Sequence, residues 1–418
     1  MRGALTRNLL LTMGLLVAQA SWADIPGLQG GHLKTQLFGS HYPGDSLLRQ
    51  AYGPESVDAG AEFRLRFAGR RGAWDVQADY QLLGRWGDTV NTPAALQDTA
   101  VPSTLPDDER RWWQLTDTLS DGSRHAVAQR LDRLSVGYTG ERVVWRFGRQ
   151  AISWGNGLIF NPVDVFNPFD PAAVDTEYKV GDDMLSGQYL LDSGSDWQLV
   201  RVERRDGAGD VNSDVSSSAL KFHGFALERE YDLLVAEHYG DTMLAIGGST
   251  NLGDAVLRGD VVSTDSADGW VTSAVLDWTW SWVWGGHNVS AVAEYYFNGF
   301  GLREGDYSLT GLAPDTALGM RLARGDLFAI GRHYLASSLQ VELTPLLHLQ
   351  PALYANVGDG SGLAQVVLNW DMAQDWQLLA ALNVPLGPSG TEYGGLEVSP
   401  AGTLATGPGL FLQLGAWF

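Results

Sequence analysis

The last ten residues, Gly409 to Phe418, read GLFLQLGAWF and constrain the fold more than any other stretch of the chain. In an extended strand Leu410, Leu412, Leu414, Ala416 and Phe418 share one face, and Phe411, Gln413, Gly415 and Trp417 share the other. A soluble domain ending this way would expose a greasy edge open to aggregation. In lipid the same strand is stable once its backbone groups are paired, and a closed barrel pairs its last strand with its first.

The same period-two alternation recurs upstream. Ala61, Phe63, Leu65 and Phe67 oppose Glu62, Arg64 and Arg66, and Trp74, Val76, Ala78, Tyr80 and Leu82 oppose Asp75, Gln77, Asp79 and Gln81. Charges on the inner face of a dry sandwich would be costly, whereas a wet lumen solvates them. Trp278, Trp280, Trp282 and Trp284 share one face of a single strand, an arrangement suited to lipid and its interfaces. Val289, Ala291, Ala293, Tyr295 and Phe297 repeat the pattern in the next strand. The expected fold is all-β, a transmembrane antiparallel β-barrel of about 18 strands in a single closed sheet. Long connections at 40–59, 84–126, 151–182, 298–324 and 386–408 then fall on one side, provided that 325–340 is one strand and Thr344-Pro345 a turn.

The amino terminus agrees. Arg2 and Arg7 precede the apolar stretch Leu9 to Ala18, and Ser21-Trp22-Ala23 offers small residues for cleavage. Residues 1–23 read as a signal peptide and 24–418 as the barrel. No other apolar run approaches 20 residues, which argues against helical spans. There is no cysteine to form a disulfide or carry a lipid anchor. The net charge of −21 is unlike that of a nucleic-acid binder. It suits acidic outer loops that share divalent cations with anionic lipopolysaccharide, or simply an acidic surface.

Function is expected at the inner wall and at one loop. Glu62, Arg64, Arg66, Asp75, Asp79, Arg142 and Arg146 are the candidate pore-wall residues, set as a basic strip beside an acidic one. Such a transverse field filters polar solutes; mutual neutralisation that braces the wall is the competing reading. Lys221 and His223 take lumen positions too. The run GRQAISWGNGLIFNPVDVFNPFDP, Gly148 to Pro171, carries two Asn-Pro steps and forms a stiff non-strand path. A loop around 151–182 is expected to fold into the barrel mouth or cap it, with Trp154, Asn156, Asp164, Asn167 and Asp170 at the constriction. Asp107 to Arg111, followed by Trp112-Trp113, reads as a solvated charge run in an external helix or loop. No cofactor is expected beyond calcium held loosely by acidic external loops at Asp210, Asp214, Asp265 and Asp268. No spacing matches a calcium loop or a zinc cluster.

The alternating carboxyl terminus and its final Phe418 resemble the C-terminal signature of Gram-negative outer-membrane barrels. The Gly148 to Pro171 run resembles motifs in a poorly characterised outer-membrane β-barrel family, porin-like or alginate-export-like. The resemblance implies residence in the cell outer membrane. It also implies contact with the lipid bilayer and lipopolysaccharide, and insertion by the barrel-assembly machinery. The leading expectation is a porin-like channel for passive or facilitated passage of small polar or amphipathic solutes, without catalytic residues. The alternative is an outer-membrane component of a polymer or lipid export or envelope-maintenance system. A hydrolase would need a nucleophile–base pair, such as a serine with His238 or His333, and the sequence offers no recognisable pairing.

Overall fold

The computed structural model describes residues 25–91, 105–227, 229–303, 307, 311–399 and 402–418. The stretch 1–23, expected to be a signal peptide, lies outside the described residues. The chain runs through β1 (Leu28–His41), β2 (Glu55–Arg71), β3 (Trp74–Gly87), β4 (Thr116–Gly122), β5 (His125–Thr139), β6 (Val143–Gln150) and β7 (Asp182–Leu190). It continues through β8 (Asp196–Val202), β9 (Ser217–Ala226), β10 (Arg229–His238), β11 (Asp241–Leu252), β12 (Ala255–Ser266), β13 (Gly269–Trp284) and β14 (His287–Phe297). It ends with β15 (His333–Thr344), β16 (Leu347–Asn356), β17 (Ser361–Ala373), β18 (Trp376–Leu386), β19 (Leu396–Ser399), β20 (Gly402–Leu404) and β21 (Gly409–Trp417).

Nineteen of these strands form one sheet. β4 is a hairpin extension riding on β5, so 18 strands circle the barrel. Each pairs antiparallel with its neighbours, and β21 closes the ring by bonding β18 on one side and β1 on the other. The seam runs from His32 opposite Trp417 to Ser40 opposite Gly409, and Gln36 donates across it to Gln413 at 2.7 Å. Closure leaves the ring of 18 strands without a free edge, the condition for a β-structure to cross lipid. The start of β1 and the end of β21 lie with the short turns at 72–73, 253–254, 285–286 and 345–346, which by the common orientation of such barrels is the periplasmic end. Long connections 42–54, 88–124, 151–181, 298–332 and 387–408 all leave the opposite end.

The outward face is apolar. Ile246, Leu276, Leu335 and Leu353 stand out from their strands at 42–58 % exposure, while Arg64, Asp277 and Glu294 face inward. Trp278, Trp280, Trp282 and Trp284 do share the outward face of β13, and the rings of Trp280 and Trp282 stack at 5.8 Å. Their cross-strand partners Ala291 and Val289 are left buried beneath this ribbon of rings.

Three expectations need correction. The strand expected at 325–340 is β15, which starts at His333, because 325–332 folds inward and Ala329 and Ile330 are buried. Asp107 to Arg111 is neither helical nor fully solvated: Asp108 is buried between Arg111 and Arg149 at 2.8 and 2.9 Å. Those guanidiniums pull its carboxyl down to about 2 against the upward push of burial. Nor is the lumen uniformly wet. Met184, Val200, Val202, Leu234, Ala236, Met243 and Val262 on β7–β12 face inward and pack on Trp154, Val163, Val165 and Phe166 of the 151–181 loop. A second inward cluster joins Phe160 of the loop to Val275, Tyr296, Tyr334, Ala336 and Tyr354.

An outward position in mid-strand should be intolerant of charge. Ile246→Arg on β11 is expected to cost ~2–4 kcal/mol in lipid vesicles, read by denaturant titration. Gln36→Arg on the inner face is expected to cost far less. Equal costs would contradict the assignment of faces.

Candidate functional site

The 151–181 loop departs from β6 at a bend that only glycine permits. Gly148 has φ +126°, and a Cβ there would sit 2.2 Å from the Leu134 carbonyl oxygen. Past it the chain turns inward and attaches to one strand after another. Trp154 donates its indole N–H to Gln198 on β8 at 2.7 Å. Asn156 gives its backbone N–H and its amide to Asp260 on β12 at 2.5 and 2.7 Å. Leu158, Ile159 and Phe160 give three successive N–H groups to the Glu294 carboxylate on β14, at 3.1, 2.9 and 2.6 Å. Farther along, the Ala172 carbonyl accepts from Gln365 on β17 at 2.9 Å. Asp175 and Glu177 then pair with Lys34 on β1 at 2.6 and 2.8 Å. A segment touching β8, β12, β14, β17 and β1 in turn crosses the inside of the barrel.

The loop is also internally stiff. Asn161 donates to the Trp154 carbonyl and accepts from the N–H groups of Val163 and Asp164. Gly155, at φ +92°, lies so close to Asn161 that a Cβ would fall 2.1 Å from its Oδ1. Lys179 donates to both oxygens of Asp164 at 2.6 and 2.7 Å and to the Ile152 carbonyl, tying the loop's return to its departure. Of the expected constriction residues, Trp154, Asn156 and Asp164 therefore act as fasteners. Asn167 takes a left-handed turn at φ 54°. Asp170 accepts from the Ala172 N–H, and among the described residues no cation pairs with it. Its side chain stays exposed inside the narrowed lumen.

On the wall, Glu62, Arg64, Arg66, Asp75, Asp79 and Arg146 face inward, but the charges interleave instead of forming two strips. Arg64 pairs with Asp132 at 2.8 Å, Glu62 at 3.4 Å and Asp79 at 3.7 Å. Asp132 also binds Arg130 and Arg133, and Arg146 pairs with Asp75 at 2.7 Å. Arg142 is a correction: β6 begins at Val143, so Arg142 lies in the periplasmic turn, half exposed and paired with Asp192. Lys221 and His223 both hold Asp232, at 3.0 and 2.9 Å. Among the described residues Arg66, Arg85 and Arg258 face inward without a carboxylate partner, and Arg258 donates instead to the Thr279 hydroxyl at 3.0 Å. Arg66 leaves its Nε unbonded, and Arg85 lies 4.0 Å over the Phe38 ring. Arg66, Asp75, Gln77 and Asp79 line a cavity at the periplasmic end of the lumen.

Sequence reasoning missed Asp260 and Glu294 as loop anchors, and Asp277 between them. Asp277 stands directly across from Glu294, fully buried, with neither oxygen bonded. Three inward acids on consecutive strands were visible as alternation, but nothing local told that a loop would arrive above them. The serine–His238 pairing does exist: Ser217 Oγ lies 2.9 Å from Nδ1, and Asp326 faces Nε2 at 3.4 Å. Ser217 is 1 % exposed and accepts from Arg204 at 2.6 Å. A buried hydroxyl held by a guanidinium has no access to substrate, so this trio braces β9, β10 and the 298–332 connection. That connection meets the 387–408 one at Glu392, which accepts from Tyr334 at 2.6 Å, Asn356 at 2.8 Å and the Ile330 N–H at 3.1 Å.

The fold is that of Gram-negative outer-membrane β-barrels. The chain is similar to OccAB3 of Acinetobacter baumannii with a TM-score of 0.52 at 10 % identity, over 93 % of this chain and 98 % of that one. It is similar to OccAB1 of the same organism at 0.50 and 12 %, over 96 % and 99 %. It is also similar to Escherichia coli Wzi, an outer-membrane carbohydrate-binding β-barrel involved in group 1 capsule assembly, at 0.51 and 10 %, over 93 % and 84 %. No family model and no curated protein sequence matches the chain.

Glu294→Ala removes the acceptor of three loop N–H groups and is expected to weaken the loop's hold by at least ~1–3 kcal/mol. Protease cleavage within 151–181 should quicken while the far-ultraviolet spectrum of the barrel stays unchanged; unaltered protection would contradict the anchoring. A second effect follows from Glu392, whose carboxyl burial pushes up to about 7 despite the hydrogen bonds it accepts. Because the folded value lies above the ordinary 4.5, its stabilising share is complete below that value and lost as pH rises through about 7. Amide exchange in 387–395 should therefore be slower at pH 5 than at pH 8, after correction for intrinsic rates.

Proposed function

We propose that this chain is an outer-membrane channel, porin-like, that passes small polar or amphipathic solutes passively or by facilitated diffusion. The observation that carries the reading is the 151–181 loop, fastened across the lumen by Trp154, Asn156 and the N–H groups of 158–160. A barrel that served only as a membrane anchor would have no use for a narrowed interior. The loop's packing on inward apolar residues from β7 to β17 displaces the passage toward β1–β5 and β18–β21. On that side Gln36, Asn383, Arg66 and Arg85 offer hydrogen bonds and positive charge to a passing solute. Selection then comes from pore width and a few unpaired charges, because most wall charges are spent on one another.

Planar-bilayer recording of the refolded chain tests this. Discrete conductance steps are expected, and Asp260→Ala combined with Glu294→Ala should raise unit conductance about two-fold or more by loosening the loop. Arg66→Gln should shift selectivity toward cations. Absence of steps at every voltage, with the barrel intact, would remove the channel reading.

A further inference from the structure

The extracellular end carries a groove of about 1430 Å3, counting its open mouth, between residues 109–114, the 203–216 connection and the short helix Ala317–Arg324. Arg110, Arg205 and Arg324 line it. Among the described residues none of the three pairs with a carboxylate. Arg205 spends its N–H groups on the carbonyls of Trp112 and Gly209, which orients its charge without cancelling it. Arg324 lies 4.0 Å over the ring of Tyr239, and Arg204 stacks on that same ring at 4.6 Å. A guanidinium stacked on a ring keeps its N–H edge free for an oxyanion. Glu109 and Asp206 also line the groove. Asp206 is engaged with the backbone of its own turn, accepting from Ala208 and Asp210 at 2.9 and 3.2 Å. Three guanidiniums against two carboxylates make a locally positive site on a chain of net charge −21.

The groove also stands at the edge of the membrane. β6, β7 and β8 have only 8, 9 and 7 residues, at or below the ~9–11 of a full transmembrane strand. Above them the wall is completed by residues 107–113, whose Asp108 and Trp113 backbone are clamped by Arg149. Trp112 and Trp113 stack at 5.6 Å and meet the outward-facing Phe147 at 6.0 and 5.5 Å. Paired tryptophans touching the lipid-facing surface mark the headgroup level, and Arg110 lies two residues before them. We propose that this groove binds the phosphorylated headgroup of an outer-leaflet glycolipid. Arg110 and Arg324 grip the phosphate, and Trp112 and Trp113 border the acyl region. The site is separate from the passage through the lumen and stands whether or not the barrel conducts.

Native mass spectrometry of the full barrel in detergent tests it, with bis-phosphorylated lipid A and lipid A stripped of both phosphates as probes. Wild type should retain the phosphorylated lipid in preference. Arg110→Gln with Arg324→Gln should weaken that binding about tenfold or more while leaving the stripped lipid unaffected. Arg142→Gln, an equal charge loss at the opposite end, should change nothing. Heat-modifiable electrophoretic migration verifies folding, and the single change at exposed Arg110 substitutes if the double variant fails to fold. Equal retention of the two lipids, an unaffected double variant, or an equal loss in Arg142→Gln would overturn the proposal. Displacement of the lipid by equimolar inorganic phosphate would also overturn it, because the site would then belong to free anions.

Discussion

A peptide group in lipid has no water to bond, and the rest of this architecture follows from that constraint. Each of the 18 strands in the ring must be paired on both sides, so β21 must find β1, and the sheet has no choice but to curl shut. An even number of antiparallel strands then returns both chain ends to one side. The short turns stay with the ends, and length is free to accumulate only in the connections opposite. Apolar residues on the outward face and polar ones within are the consequence of that closure.

The same accounting applies inside. A loop threaded through the lumen brings backbone N–H groups away from bulk water, and each needs an acceptor. Wall carboxylates supply them: Glu294 takes three in succession and Asp260 takes those of Asn156 and Gly157. Apolar side chains of the loop find inward partners on β7–β17, so one side of the lumen is a packed core. The opposite wall, β1–β5, is braced by buried ion pairs centred on Arg64 and Asp132, leaving Arg66 and Arg85 without carboxylate partners among the described residues. Buried pairs of this kind contribute little net stability but penalise any rearrangement that separates them. The lumen is thus divided into a fastened side and a polar side.

The fold was legible because period-two alternation survives wherever one face meets lipid and the other meets polar groups, as in β2, β3 and β13. That the Gly148 to Pro171 run leaves the strand was legible from its Asn-Pro steps, while the sequence left open whether it folds into the mouth or caps it. Alternation loses its meaning where both faces are apolar. Leu199 faces lipid and Val200 and Val202 face the loop core, so nothing in β8 tells a packed interior from a wet one. Arg142 was misplaced because its parity is right but the strand begins one residue later. Asp108 was read as solvated because its partner Arg149 is 41 residues away. Glu294 and Asp260 could not be singled out, since their partners are backbone groups more than a hundred residues distant.

The central claim is that residues 151–181 lie inside a closed barrel and are fastened to its far wall. The chain has no cysteine, so a pair can be introduced without background. Asn156→Cys with Asp260→Cys, oxidised in intact outer membranes and read by the mobility of the folded band, measures that placement most directly. Near-complete cross-linking within single chains, with each single variant poorly accessible to a bulky extracellular thiol reagent, is the expected result. Absence of the cross-link together with full labelling at position 156 would put the loop outside the lumen and contradict the account.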